Sequence, residues 1–88
     1  METTVVIVNQ KGLHARASVK LAELAETFQC SISLSNQTTS ADAKNVLQLM
    51  MLAANKGTSL RLHCEGTDET AACQAIGGLI KNRFEEGD

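Results

Sequence analysis

Cys30-Ser31-Ile32-Ser33-Leu34-Ser35 alternates apolar and polar residues at every step. Successive side chains of a strand point to opposite faces, so this stretch predicts a strand with one buried face and one wet face. Leu60-Arg61-Leu62-His63-Cys64-Glu65 repeats the alternation later in the chain. Strands that bury a single face belong to an antiparallel sheet, and the helices must then all cover the apolar side. Reading outward from these two strands supplies the remaining elements. Val5-Val6-Ile7-Val8 is a β-branched run that predicts a first strand, with a turn at Gly12. From Ala15 to Phe28, Ala17, Leu21, Leu24, Ala25 and Phe28 recur at helical spacing, with Lys20, Glu23 and Glu26 between them. Asn36-Gln37-Thr38-Thr39 is turn chemistry and leads to a short strand near Thr39–Ala43. A second helix is expected from Ala43 to Ala54, stopped around Asn55-Lys56-Gly57. Asp68 is the expected N-cap of a last helix whose stripe is Ala72, Ala75, Ile76, Leu79 and Ile80. Gly77-Gly78 interrupts that helix at about 1 kcal/mol per glycine relative to alanine, for which close packing on the sheet is the expected reason. The order β-α-β-β-α-β-α predicts an α+β open-faced sandwich: a four-stranded antiparallel sheet covered on one face by three helices.

Composition narrows the function. A length of 88 residues without proline or a linker-like stretch predicts one domain over residues 1–88. There is no Trp or Tyr, and only Phe28 and Phe84 are aromatic, so the core must be aliphatic and bases find no stacking platform. A net charge of -2 offers no footprint for a phosphate backbone, which argues against nucleic acid as a partner. Cys30, Cys64 and Cys73 are an odd number without CxxC spacing and read as reduced, partly buried thiols of a cytoplasmic protein. Met1-Glu2-Thr3-Thr4 has no basic region followed by an apolar run, and no stretch approaches the roughly 20 apolar residues of a membrane span. A metal site built from His63, Cys64 and Cys73 lacks ligand spacing. His63 falls out of phase with Leu60, Leu62 and Cys64 and is expected on the open sheet face. No cofactor, metal or membrane is expected, and the chain reads as a monomer.

The segment Gly12-Leu13-His14-Ala15-Arg16-Ala17-Ser18 carries the chemistry. A strand ends, a glycine turns the chain, and a histidine arrives just before a helical pattern begins. His14 therefore sits around the N-cap, where backbone N–H groups lack intrahelical partners and the helix dipole favours an anion. A phosphoryl group on the ring would be met by the amides of Arg16 and Ala17 and by the Arg16 guanidinium, whose fork matches phosphate oxygens. On spacing alone a second reading stays open, because a loop histidine beside an arginine is common. The second helix adds a surface. Val46, Leu47, Leu49, Met50, Met51 and Leu52 make it apolar almost all round, yet a helix laid on a sheet hides one side. Leu49 and Leu52 are assigned to the core; Val46, Leu47 and Met50 are assigned to a docking patch, completed by Ala15, Val19 and Lys20 of the first helix. The alternative is that tertiary packing buries both sides of the helix.

Gly12-Leu13-His14-Ala15-Arg16 resembles the active-site signature of the HPr family, the phosphocarriers of the bacterial phosphotransferase system. The likeness extends through Lys44-Asn45-Val46-Leu47, Met50-Met51-Leu52, Lys56-Gly57 and Glu65-Gly66, so it covers essentially the whole chain. Asn9 and the Val46–Leu52 segment are most similar to the nitrogen-branch members of the family, NPr. The resemblance implies that His14 takes a phosphoryl group from an enzyme I-type protein charged by phosphoenolpyruvate and passes it to a histidine of an IIA-type protein. It implies a phosphate-binding role for Arg16 and a stoichiometric carrier instead of an enzyme. Two residues depart from the family pattern. Ala17 stands where proline is usual, which keeps an N–H donor, loses rigidity and is expected to alter phosphoryl lifetime. Asn45 stands at the position of a regulatory serine, so control by a serine kinase is expected to be absent. The competing function is an HPr-like regulatory module that binds and modulates other proteins.

Overall fold

The computed structural model describes residues 1–86 and places the predicted elements in the predicted order. These are β1 (Glu2–Val6), α1 (Ala15–Glu26), β2 (Ser31–Ser35), β3 (Ser40–Asp42), α2 (Val46–Met51), β4 (Ser59–Glu65) and α3 (Glu69–Lys81), followed by a short turn at Arg83–Glu85. The four strands form one sheet in the order β1-β4-β2-β3, and every neighbouring pair is antiparallel. The alternation works as expected: Ile32 faces Cys64 and Leu34 faces Leu62 across β2 and β4, and all four are buried. Arg61 is exposed and His63 half-buried, out of phase with that buried row. The core also takes Leu21, Ala25, Ile76 and Ile80 from α1 and α3, and Phe84 from the C-terminal turn.

Four sequence expectations need correction. The first strand is Glu2–Val6 rather than Val5–Val8. Ile7 has already left the ladder: its N–H donates to Thr58 O at 3.0 Å, and its carbonyl accepts from Gly57 N at 2.7 Å. The polar start of β1 is legible only once the strand is known to lie at the sheet edge, where Glu2, Thr3 and Thr4 stay exposed. The second helix is six residues, Val46–Met51, not Ala43–Ala54. Asn45 starts it by accepting the Gln48 amide at 3.0 Å, and Ala53 ends it with φ +51°. The glycine pair of α3 does not mark tight packing, since a Cβ on Gly77 or Gly78 would meet nothing within 4 Å. The first helix also stops at Glu26, two residues short of Phe28, where Thr27 Oγ1 turns back to Leu24 O.

Gly12 is different. It adopts φ +66°, and a Cβ there would lie 2.4 Å from Ala54 O. Only glycine allows this approach. The adjacent Leu13 amide donates to the same carbonyl at 2.9 Å, so the loop before α1 is pinned to the segment after α2.

Candidate functional site

The site begins with a turn built by Asn9. Its Nδ2 donates to Gly12 O at 2.8 Å, and the Gly12 amide returns a bond to Asn9 O at 3.2 Å. Asn9 is buried, and its Oδ1 has no hydrogen-bond partner among the described residues. The turn delivers His14 to the N-cap of α1 in extended backbone conformation (φ -78°, ψ -178°). The His14 ring makes no capping bond. Its Nδ1 lies 3.0 Å from Gly12 O, a carbonyl that only accepts, so the contact is a hydrogen bond in the tautomer that carries its proton on Nδ1. The Ser18 amide, bonded to His14 O at 2.8 Å, is the first rung of the helix. The amides of Ala15, Arg16 and Ala17 therefore stand outside the intrahelical ladder at its positive end.

Around the ring the structure gathers Arg16 and Lys20, as read from the sequence, and a residue that was not: Glu86. His14 Nε2 lies 3.3 Å from Glu86 Oε1, while Arg16 Nε and Lys20 Nζ lie 3.8 and 3.7 Å from Glu86 Oε2. Lys20 also donates to Phe84 O at 3.0 Å, so it braces the C-terminal turn as well as edging the site. Ser18 is a second residue the sequence reading passed over. It sits on the buried side of α1, its hydroxyl donating to Leu13 O at 3.3 Å. Spacing placed it among the apolar residues of the stripe, but its polarity hid it.

The expected docking residues divide. Ala15 and Val19 are exposed on α1, and Leu47 and Met50 on α2. Val46 is half-buried and packs against the core, so it contributes an edge at most. Met51, not assigned to the patch from sequence, is 67% exposed, comparable with Leu47 at 68%. Leu49 and Leu52 are buried as assigned. The three thiols are buried too: burial and the neighbouring Cys73 push Cys64 up to about 12, and burial raises Cys30. Among the described residues no group of three or more His, Cys, Asp or Glu gathers into a metal-ligand cluster, and no helix is long and apolar enough to cross a membrane.

The fold is an open-faced sandwich that sets a partly exposed histidine at a helix mouth, beside an arginine and backbone amides outside the helical ladder, the surroundings in which an anion is favoured. The family model described as "PTS HPr component phosphorylation site" matches residues 1–82. The chain is 44% identical to the phosphocarrier protein HPr of Pseudomonas aeruginosa over 96% of its length and 94% of that protein. It is 42% identical to HPr of Cupriavidus necator, covering 100% of this chain and 99% of the other. The crystal structure of HPr-C-His from Thermoanaerobacter tengcongensis superimposes with a TM-score of 0.93 at 32% identity, over 98% of this chain and 97% of that one. The chain belongs to the HPr family, the phosphocarriers of the phosphotransferase system.

Proposed function

We propose that His14 is the phosphoryl acceptor and donor of this carrier, and that Arg16 and the amides of Arg16 and Ala17 hold the phosphoryl oxygens. The observation that carries the reading is the ring at the mouth of α1, beside amides that no helical carbonyl satisfies. A phosphoryl group placed there gains charge-assisted bonds that a neutral ring lacks. The donor is an enzyme I-type protein charged by phosphoenolpyruvate, and the acceptor is a histidine of an IIA-type protein. In each transfer the lone pair of the receiving ring nitrogen forms the new N–P bond. The old bond to phosphorus breaks, and its electron pair stays with the departing donor. For Nδ1 to attack, its bond to Gly12 O must open and its proton must pass to Nε2 or to solvent, which frees the ring lone pair. Docking supplies the in-line alignment, so positioning and electrostatics carry the rate. The chain is a stoichiometric carrier, not an enzyme in its own right. It acts as a single domain and a monomer in the cytoplasm, and Asn9 and the α2 sequence favour the nitrogen branch.

The test is incubation with phosphoenolpyruvate and the cognate enzyme I. One phosphate that is acid-labile and alkali-stable is expected, and His14→Ala should abolish labelling while the circular dichroism spectrum is retained. A variant that labels like the native protein moves the phosphate to another residue. Failure of the native protein to label favours a regulatory binding module.

A further inference from the structure

Glu86 sets a carboxylate against the Nε2 side of His14 and the cations that flank it. Its carboxylate, only 14% exposed, lies beside the His14 ring and faces Arg16 and Lys20, so the two cations that would serve a bound phosphate are turned toward one side chain. The backbone that delivers it is unusual. Arg83, Phe84 and Glu85 have φ of 55°, 54° and 62°, three successive side-chain-bearing residues in the left-handed region. Such conformations are costly and persist where surrounding structure holds them. Here Phe84 is fully buried in the core, and Lys20 clamps its carbonyl at 3.0 Å. The delivered carboxylate is nevertheless poorly satisfied, because among the described residues Glu86 Oε2 is buried without a hydrogen-bond partner and is held by charge. A histidine-bound phosphoryl group carries more charge and more acceptor oxygens, and it also reaches the amides at the start of α1.

We propose that Glu86 is an internal stand-in for the phosphoryl group. It covers the ring and its cations in the unphosphorylated carrier and is expelled when the ring is phosphorylated. This rests on His14 as the phosphoryl acceptor. No bond is made to Glu86; only the anion that the cations face is exchanged. Two effects act in the same direction. The stand-in stabilises the unphosphorylated form, and like-charge repulsion opposes the phosphorylated one. Glu86 therefore makes the phosphorylated carrier a stronger donor, while buried Phe84 keeps the displaced segment attached.

The experiment mixes phosphorylated enzyme I with the native carrier, Glu86→Gln and Glu86→Asp, and reads the equilibrium ratio of phosphorylated carrier to phosphorylated donor. Glu86→Gln, nearly isosteric, should raise the transfer constant onto the carrier on the order of fivefold by removing one charge from the cluster. Glu86→Asp, which keeps the charge, should stay nearer the native value. Amide NMR supplies a readout that needs no variant: phosphorylation of the native protein should shift Arg83, Phe84 and Glu85. The unphosphorylated Glu86→Gln protein should move the same resonances in the same direction. An unchanged constant in a folded Glu86→Gln protein, or native Arg83–Glu85 amides that ignore phosphorylation, overturns the stand-in and leaves the relay intact. A native protein that takes up no phosphate overturns both.

Discussion

Asn45 shows how much one side chain can decide at the surface. Its Oδ1 accepts the Gln48 amide at 3.0 Å, while Gln48 Oε1 accepts the Asp42 amide at 2.9 Å, so the two residues close the start of α2. Alanine offers no acceptor there, and loss of an N-cap costs about 1 kcal/mol. Asn45→Ala should lower the urea midpoint accordingly without changing the slope, since Asn45 is exposed and leaves no cavity. A midpoint equal to that of the native protein would show that α2 is held by Leu49 and its core contacts alone. At this scale the sequence was readable where the cause is local. Gly12, His14 and Arg16 declare a turn, a cap and an anion partner within a few residues of one another. Glu86 declares nothing, because its partners lie near the other end of the chain. The Lys20–Phe84 bond beside it spans 64 positions. Only the fold brings the two ends together, and no pattern in a charged C-terminus announces it.

Elements were legible where periodicity is set by one buried face, as in β2, β4, α1 and α3, and less so where an edge or a cap decides. The β-branched Val5–Val8 run drew the first strand too late, because apolar content marks burial while pairing marks the strand. Asp68 illustrates a related limit. It stands at the N-cap of α3 as expected, but its side chain makes no capping bond. Its carboxylate accepts instead from the Gln29 and Cys30 amides at 2.9 and 3.0 Å, tying the entry of β2 to the start of α3. Those bonds, the Gln29 amide foremost, hold its carboxyl below the usual range, and the Gly66 amide and the N-terminal ammonium do the same for Glu69. A carboxylate depressed in the folded state contributes stability that is present above its unfolded value. That contribution is lost as pH falls through the folded value. The thermal midpoint should therefore decline on acidification from about pH 4 downward. Asp68→Asn should lower the midpoint at neutral pH and flatten that acid limb. Parallel pH profiles for the native and Asp68→Asn proteins would place the acid sensitivity elsewhere.

On the scale of the whole molecule, the open-faced sandwich forces a choice on α2. A helix of six residues can turn Leu49 into the core and seat Leu52 just beyond its end, but it cannot hide its outer side. Leu47, Met50 and Met51 consequently remain in water, with Val19 exposed on α1, the helix that α2 packs against. Small soluble proteins seldom leave such residues clustered without use, and methionine accommodates more than one partner shape. A relay must dock on two different proteins in turn and let each go, which suits a modest apolar contact beside a charged site. Met50→Glu places a charge in the centre of that contact. It should weaken binding to enzyme I by about tenfold in titration calorimetry, the scale of a single interface anchor. Because Met50 is 42% exposed, the substitution should change folding stability by no more than about 0.5 kcal/mol, as for most surface changes. Loss of the fold would mean that Met50 belongs to the core. Undiminished affinity in a folded variant would move the docking face off α2 altogether.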